Sequence, residues 1–242
     1  MTLEDDWESH AEWWLDEVTD DPIYQSDVLP MALEFIGPFS GIALDLGCGE
    51  GQVMRSLSGR VVGTDISSRL LRKAAAGSAV VRGRLPDLGW MRPAVIDVAY
   101  AVLVVEHLPD LSFFESAFRV VRSGGRLVVV VNHPAFTAAD AGPIMDQSDG
   151  EFLWRWGDYF RPSRVPMPVT GGAVVFHHRP LGEILNAAAA AGWVLDRFVE
   201  TGFSAAAIAA RPGYRGQEQM PRLLGLRWTH PATRSSDAQH SR

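Results

Sequence analysis

The feature that most constrains this chain is a pair of apolar runs that each contain or end in an acidic residue. Residues 43–51 read A-L-D-L-G-C-G-E-G, and residues 61–65 read V-V-G-T-D. This pattern predicts a buried strand, a glycine turn, a helix from about residue 52 and a second parallel strand. Glycines let backbone approach a ligand, a helix start offers unpaired N–H groups, and Asp65 at the second strand tip can accept two ribose hydroxyls. The segment therefore predicts a site for a ligand that carries a nucleoside.

The glycine spacing separates two kinds of nucleoside ligand. A dinucleotide-binding turn reads G-x-G-x-x-G. Here Gly47, Gly49 and Gly51 follow G-x-G-x-G, and Gln52 stands where the third dinucleotide glycine would fall. The carboxylate of Asp45 would repel a pyrophosphate but suits a cationic amino-acid group. A nicotinamide-dependent oxidoreductase is therefore the disfavoured alternative.

Four sequence blocks, in the same order, resemble the class I S-adenosylmethionine (SAM) methyltransferases. The D-x-G-x-G-x-G turn and its downstream Asp65 resemble the first two motifs of that family. Residues 97–110 resemble its fourth strand and following turn, and residues 118–127 resemble its helix-to-strand corner. The resemblance covers residues 42–132 and implies SAM as the cofactor and methyl transfer as the reaction.

The resemblance also implies which residues hold the cofactor. Asp65 would accept the ribose hydroxyls and Ile66 would pack on the adenine. Many family members place an Asp after the third strand to accept from the adenine amino group, but this chain has Arg84 there. Arginine has no acceptor, so we expect backbone groups of Arg84 and Leu85 to contact the adenine edge. The expected cofactor-binding set is Asp45, Gly47, Cys48, Gly49, Gly51, Asp65, Ile66, Arg84, Leu85, Ala101, Val102 and His107.

Catalytic and acceptor-binding candidates come from histidines and aromatic residues near the predicted sheet edge. His133 follows the fifth strand at the carboxyl edge, where open α/β sheets bind ligands, and is the first candidate for a general base. Such a base is needed only where the acceptor loses a proton, and Tyr24 is a candidate to close over the sulfonium. Aromatic residues between 136 and 160 suit a flat, apolar small molecule, or alternatively attach this segment to the sheet. The expected acceptor-binding set is Trp14, Tyr24, His133, Trp154, Trp156, Tyr159 and His177.

Apolar runs that alternate with helical segments predict a doubly wound, Rossmann-like α/β fold. We expect one methyltransferase domain over residues 1–231, with the sheet order 3-2-1-4-5-7-6 and an antiparallel strand 7, as the resemblance implies. Residues 1–38 are expected to form a helical arm. Residues 134–180, rich in proline, glycine and aromatics, are expected to form a small helical lid with the acceptor pocket. Residues 232–242 are polar and predicted to be disordered.

Composition limits the partners of this 242-residue chain. Its net charge is −7, with ten Asp or Glu and no Lys or Arg in residues 1–30, whereas a nucleic-acid surface needs a basic stripe. No run approaches the roughly 20 apolar residues that span a bilayer. The single cysteine, Cys48, fits a reducing cytoplasm. We therefore expect a cytoplasmic enzyme without a metal, similar to bacterial small-molecule methyltransferases. A non-catalytic SAM-binding protein is the alternative from another class, and the sequence does not indicate the oligomeric state.

Overall fold

The apolar runs of the sequence form a seven-stranded sheet. The computed structural model describes residues 7–146, 148 and 151–232. In chain order the strands are β1 (Ile42–Leu46), β2 (Arg60–Asp65), β3 (Ala79–Arg82), β4 (Ile96–Val102), β5 (Val121–Asn132), β6 (Gly142–Met145), β7 (Phe152–Arg155), β8 (Ser163–Val169), β9 (Gly172–His178), β10 (Val194–Thr201) and β11 (Leu223–Thr229). The large sheet has the order β10-β11-β5-β4-β1-β2-β3, and β11 is antiparallel to both its neighbours. The predicted fold class and strand order are confirmed.

Helices pack on both faces of this sheet. They are α1 (Leu29–Ile36), α2 (Gln52–Ser56), α3 (Ser68–Ala74), α4 (Phe113–Val120), α5 (Pro134–Thr137), α6 (Leu181–Ala190) and α7 (Ala205–Ala210). One apolar layer contains Phe114 and Trp228, and the other contains Phe35 and Tyr100, all of them buried. Strand β4 is buried along its whole length, which explains why its sequence is apolar without alternation.

The segment 134–180 is built mainly from two β-hairpins, which corrects the expected helical lid. Strands β6 and β7 pair antiparallel, and so do β8 and β9, in two small two-stranded sheets. Pro166 and Pro168 lie within β8. Proline cannot donate to a sheet ladder and is tolerated on edge strands, so a proline-rich composition concealed the strands. The short helix α5 is the helical part of this segment among the described residues.

The N-terminal arm consists of helical turns, as expected. A short α-helical turn, Ala11–Trp13, continues into the π-helical turn Trp14–Val18, and a second π-helical turn, Tyr24–Val28, leads into α1. Glu8 holds the arm to the start of α3, because its Oε2 accepts a 2.7 Å hydrogen bond from the Ser67 hydroxyl. This bond places the arm beside the end of β2.

Two sequence expectations concern the ends and surface of the chain. Of the predicted tail, residues 233–242 lie outside the described residues. Within the described ranges, the helices are all too short or too polar to cross a membrane.

Candidate active site

A cavity of about 940 Å³, counting the open space at its mouth, lies at the carboxyl ends of β1, β2 and β4. Its position is the usual one for ligand sites in open α/β sheets. Predicted site residues in its wall are Trp14, Tyr24, Asp45, Gly47, Cys48, Gly49, Asp65, Ile66, Arg84, Leu85, Val102 and His107. The other wall residues are Trp7, Glu50, Gln52, Val53, Thr64, Leu70, Gly83, Leu103, Val104, Leu108 and Pro109.

The glycine turn after β1 forms one wall. The backbone N–H groups of Gly47 and Cys48 both donate to the Thr64 carbonyl, at 2.8 and 2.9 Å. Gly47 has φ +79°, and a Cβ there would lie 2.5 Å from a methyl carbon of Val104. Any side chain at Gly47 would therefore be strained and would clash. The turn exposes backbone to the cavity because it is built from glycine.

Asp65 lies at the centre of the cavity wall, and its carboxylate is fixed in place. Its Oδ2 accepts from Gly49 N at 2.9 Å, and its Oδ1 accepts from Ser67 N at 2.8 Å. Burial raises the pKa of Asp65, while these backbone hydrogen bonds act in the opposite direction. Each oxygen retains lone-pair capacity for a ligand. The residue is thus both a brace for the turn and a potential acceptor.

One end of the cavity is acidic. Asp45 and Glu50 are 3% and 2% exposed, and burial raises the pKa of Asp45 well above its usual range. Glu50 Oε2 accepts a 2.8 Å hydrogen bond from Trp14 Nε1. Its Oε1 accepts no hydrogen bond from the part of the chain that the structure describes, and it lies 3.8 Å from an Arg55 nitrogen. Two buried carboxyls at one end of a cavity favour a cationic group there.

The part of the wall after β2 and β3 is more apolar. Ile66 and Leu85 lie there together with Arg84. The Arg84 carbonyl accepts a 2.8 Å hydrogen bond from Asp87 N. This part of the wall offers both apolar side chains and backbone polar groups, and this combination suits a planar heterocycle.

The arm closes the cavity from above, with the β8–β9 hairpin beside it. Trp7 packs edge-on against Trp14 and His107, with ring centroids 5.9 and 4.9 Å apart. Tyr24 from the arm is buried, and burial with the nearby Asp45 and Glu50 carboxylates raises its pKa. The arm therefore supplies aromatic walls that the sequence analysis had assigned mainly to residues 134–180.

His107 is held in one form. Its Nδ1 lies 3.1 Å from the Val175 carbonyl oxygen on β9. A carbonyl only accepts, so we assign the ring proton to Nδ1 and a lone pair to Nε2. Burial lowers the pKa of His107 to about 4. The ring is therefore neutral near pH 7 and offers a hydrogen-bond acceptor rather than a charge.

His133 is not brought to the cavity, contrary to the expectation for a general base. Its Nε2 lies 2.7 Å from Glu200 Oε1, and its Nδ1 accepts a 3.0 Å hydrogen bond from Ala135 N. The residue is 4% exposed and caps the start of α5. Both ring nitrogens make contacts that connect β5, α5 and β10, so His133 has a structural role.

The aromatic residues of 134–180 also lie outside the cavity wall. Trp154 stacks on Phe136 with centroids 5.2 Å apart, and the Tyr159 hydroxyl accepts a 3.2 Å hydrogen bond from Leu181 N at the start of α6. Trp156 is 55% exposed. His177 lines a separate small cavity beside Glu106. Trp154 and Tyr159 therefore attach the insertion to the domain, the alternative left open by the sequence.

Two expected cofactor residues are close to the cavity without lining it. Ala101 packs in the core layer on the other side of β4, because successive side chains of a strand alternate between faces. Gly51 has φ +84° and caps α2. Sequence reasoning also missed Glu50 and Leu103. Glu50 could have been predicted, because it is an acidic residue inside the glycine turn. The sequence has no comparable signal for Leu103, a non-glycine residue with φ +55°.

The comparisons with known proteins agree that this chain is similar to methyltransferases. Residues 44–129 match the family model "Methyltransferase domain". Trans-aconitate 2-methyltransferase of Azoarcus sp. (strain BH72) is 36% identical over 93 residues, 36% of this chain and 37% of that protein. An uncharacterized methyltransferase of Emericella nidulans is 29% identical over 136 residues, 45% of this chain and 47% of that protein. The chain therefore matches less than half the length of these curated relatives.

A solved structure extends the likeness over most of the chain. The SAM-dependent methyltransferase from Mesorhizobium loti superposes with a TM-score of 0.71 and 26% identity. The match covers 88% of this chain and 100% of that one. The match therefore extends well beyond residues 44–129, the part that the family model covers.

The fold and the cavity define a nucleoside-binding domain of the doubly wound α/β class, with an acidic glycine turn. The family match over residues 44–129 and the solved structure show that the chain is similar to the SAM-dependent methyltransferases. SAM is accordingly its cofactor, and the likeness of the sequence to that family is confirmed.

Proposed function

We propose that this protein transfers the methyl group of SAM to a small, neutral and largely apolar acceptor. The observation that carries the proposal is the order of groups along the cavity wall: buried carboxyls at and just after the end of β1, Asp65 at the end of β2 and residues 84–85 after β3, three strands that are neighbours in this order. The three parts suit the amino-acid group, the ribose and the adenine of SAM in that order. The nicotinamide cofactor considered from the sequence instead carries an anionic pyrophosphate, which the buried carboxyls disfavour.

The chain's residues would hold the cofactor by complementary chemistry. Asp45 offers a charged acceptor to the ammonium group, and Asp65 offers its remaining lone pairs to the ribose hydroxyls. Ile66 and Leu85 would flank the adenine. The tight turn at Gly47 admits the methionine chain close to the backbone.

The acceptor would enter beside the arm. Trp7, Tyr24 and Leu103 give that wall an aromatic and apolar character, which suits a flat small molecule. The acidic end disfavours an anionic acceptor, because a second negative charge near Asp45 and Glu50 would be repelled. We therefore propose a neutral acceptor, whereas trans-aconitate, the substrate in the name of one relative, is an acid.

This arrangement would catalyse methyl transfer mainly by aligning the acceptor with the methyl group. SAM supplies an electrophilic methyl group on its sulfonium. The protein's part is to exclude water with Trp7 and Trp14 and to hold the acceptor in line with that methyl. The neutral ring of His107 would orient an acceptor hydroxyl or amine through Nε2, a role that needs no proton transfer. With a pKa of about 4, His107 is too weak a base to favour full proton abstraction near pH 7.

A methyl-transfer assay tests the proposal. Purified protein is incubated with SAM labelled in its methyl group and a panel of phenols, amines and hydroxy-aromatic compounds, with matched carboxylic acids as controls. We expect label to transfer to a neutral member of the panel and not to its acidic counterpart. Transfer to the acids alone would overturn the proposed acceptor class. Tight SAM binding without transfer to any panel member would favour the non-catalytic alternative, and binding of NAD in place of SAM would favour the oxidoreductase.

A further inference from the structure

We infer that Glu50 is a second acceptor for the ammonium group of the cofactor, and that its bond to Trp14 couples this recognition to closure of the arm. The inference rests on the proposed SAM site and goes further, since it assigns a recognition role to a residue outside the expected cofactor set. It concerns the acidic end of the cavity, defined by Asp45, Glu50 and Tyr24.

The first observation is an incompletely satisfied carboxylate. Glu50 is 2% exposed, yet its Oε1 accepts no hydrogen bond from any described residue. The nearest cation, on Arg55, lies 3.8 Å away and is bound through its other nitrogen to the Glu50 backbone carbonyl. Leaving a buried carboxylate oxygen unpaired is unfavourable. A primary ammonium group has three donors, so it can pair with Oε1 and with Asp45 at once.

The second observation is the position of the other oxygen. Glu50 Oε2 accepts from the indole Nε1 of Trp14 at 2.8 Å. Trp14 belongs to the arm and also lines the cavity. The same carboxylate therefore contacts the closing element on one side and the acidic end of the cavity on the other.

The energetic consequence follows from burial. When the arm closes, Trp14 covers Glu50 and removes water from its carboxylate. Closure over an empty site leaves Oε1 with the ion pair to Arg55 at 3.8 Å but with no hydrogen bond from a described residue, whereas closure over an ammonium group supplies that hydrogen bond. Arm closure should thus be favoured by ligands with an amino-acid group and not by ligands that end at the ribose.

Three ligands separate these contributions. SAM carries a sulfonium and an ammonium group, S-adenosylhomocysteine keeps only the ammonium, and 5′-methylthioadenosine has neither. Binding of each is measured by calorimetry to the full chain, to Glu50→Gln and to the control Asp65→Asn. We expect Glu50→Gln to weaken SAM and S-adenosylhomocysteine at least tenfold and to change 5′-methylthioadenosine less than twofold. Asp65→Asn should weaken all three ligands, because each contains the ribose.

The outcomes distinguish a failure of the Glu50 inference from a failure of the proposed SAM site. Equal weakening of all three ligands by Glu50→Gln would show a structural role and overturn the inference, as would unchanged binding of all three. Failure of the unmodified chain to bind any of the three would instead overturn the SAM site itself. Retained binding of 5′-methylthioadenosine by Glu50→Gln also shows that the variant is folded.

Hydrogen exchange tests the coupling to the arm. At saturating ligand, SAM and S-adenosylhomocysteine should slow amide exchange in residues 7–18, whereas 5′-methylthioadenosine should not. The variant Trp14→Phe keeps an aromatic ring but loses the indole N–H, and should lose most of this slowing. Equal slowing by all three ligands, or full slowing in Trp14→Phe, would overturn the coupling.

Discussion

The sharpest stability prediction concerns Glu106, a buried carboxyl in the turn after β4. Its Oε1 accepts from the backbone N and side-chain amide of Asn132, at 3.1 and 3.0 Å, and its Oε2 has no hydrogen-bond partner in the described structure. Burial raises the pKa of Glu106 from 4.5 to about 7. Because the folded-state pKa is above the unfolded value, the folded protein binds this proton more tightly. The contribution to stability is fully present below pH 4.5 and is lost as pH rises through about 7.

The size of this effect follows from the shift. A difference of about 2.5 pKa units, 7 minus 4.5, corresponds to roughly 3.4 kcal/mol in full. Between pH 5 and pH 8 the expected loss is about 2.5 kcal/mol, because part of the transition lies below pH 5. The variant Glu106→Gln keeps an acceptor for Asn132 and does not titrate, so it should lack this loss.

Urea unfolding of the two proteins at pH 5 and pH 8 provides the measurement. Other titrating groups contribute equally to both, so the quantity of interest is the difference between the variant and the unmodified chain. We expect Glu106→Gln to gain about 2.5 kcal/mol on the unmodified chain between the two pH values. A constant difference across this range would refute the argument that Glu106 is buried and protonated near neutral pH.

Three further substitutions test the site. Asp65→Ala should lower SAM affinity by about 1–3 kcal/mol, since ribose hydroxyls lose a charged acceptor; near-normal calorimetric affinity in the folded variant would contradict the role of Asp65. Gly47→Ala should lower both the melting temperature and SAM affinity, because φ is +79° and the new Cβ meets Val104 at 2.5 Å; unchanged thermal unfolding and binding would exclude that strain. His133→Ala should lower the free energy of unfolding by about 1–2 kcal/mol, through lost contacts to Glu200 and α5, and leave the pH dependence of methyl transfer unchanged. A flattened pH–rate profile would restore His133 as a catalytic base.

The central sheet was predictable from sequence because its signals are local. Continuous apolar runs mark strands buried on both faces, and glycine and acidic residues mark their carboxyl ends. β1, β2 and β4 therefore appeared close to their observed bounds, and the order of the sheet followed from the resemblance. The signals for the residues proposed to hold the cofactor were equally local, since Asp45, Gly47 and Asp65 lie at or next to those strand ends.

The acceptor half depends on contacts that sequence spacing does not reveal. Trp154 and Tyr159 belong to an aromatic cluster in the sequence that suggested an acceptor pocket. In the structure Trp154 packs on Phe136, and the Tyr159 hydroxyl caps α6. His133 lies at the carboxyl edge of the sheet, as expected, but its ring contacts Glu200 on β10, 67 residues away in sequence. The wall is instead formed by the arm, whose position depends on long-range bonds such as Trp14 to Glu50.

The central claim is that the acidic end, Asp65 and the more apolar wall after β2 and β3 bind the three parts of SAM in order. A crystal structure of the full chain with S-adenosylhomocysteine tests this most directly. We expect the ribose hydroxyls within hydrogen-bond distance of Asp65, the amino group between Asp45 and Glu50, and the adenine beside Ile66 and Leu85. A ligand bound in the opposite direction, or outside this cavity, would contradict the account.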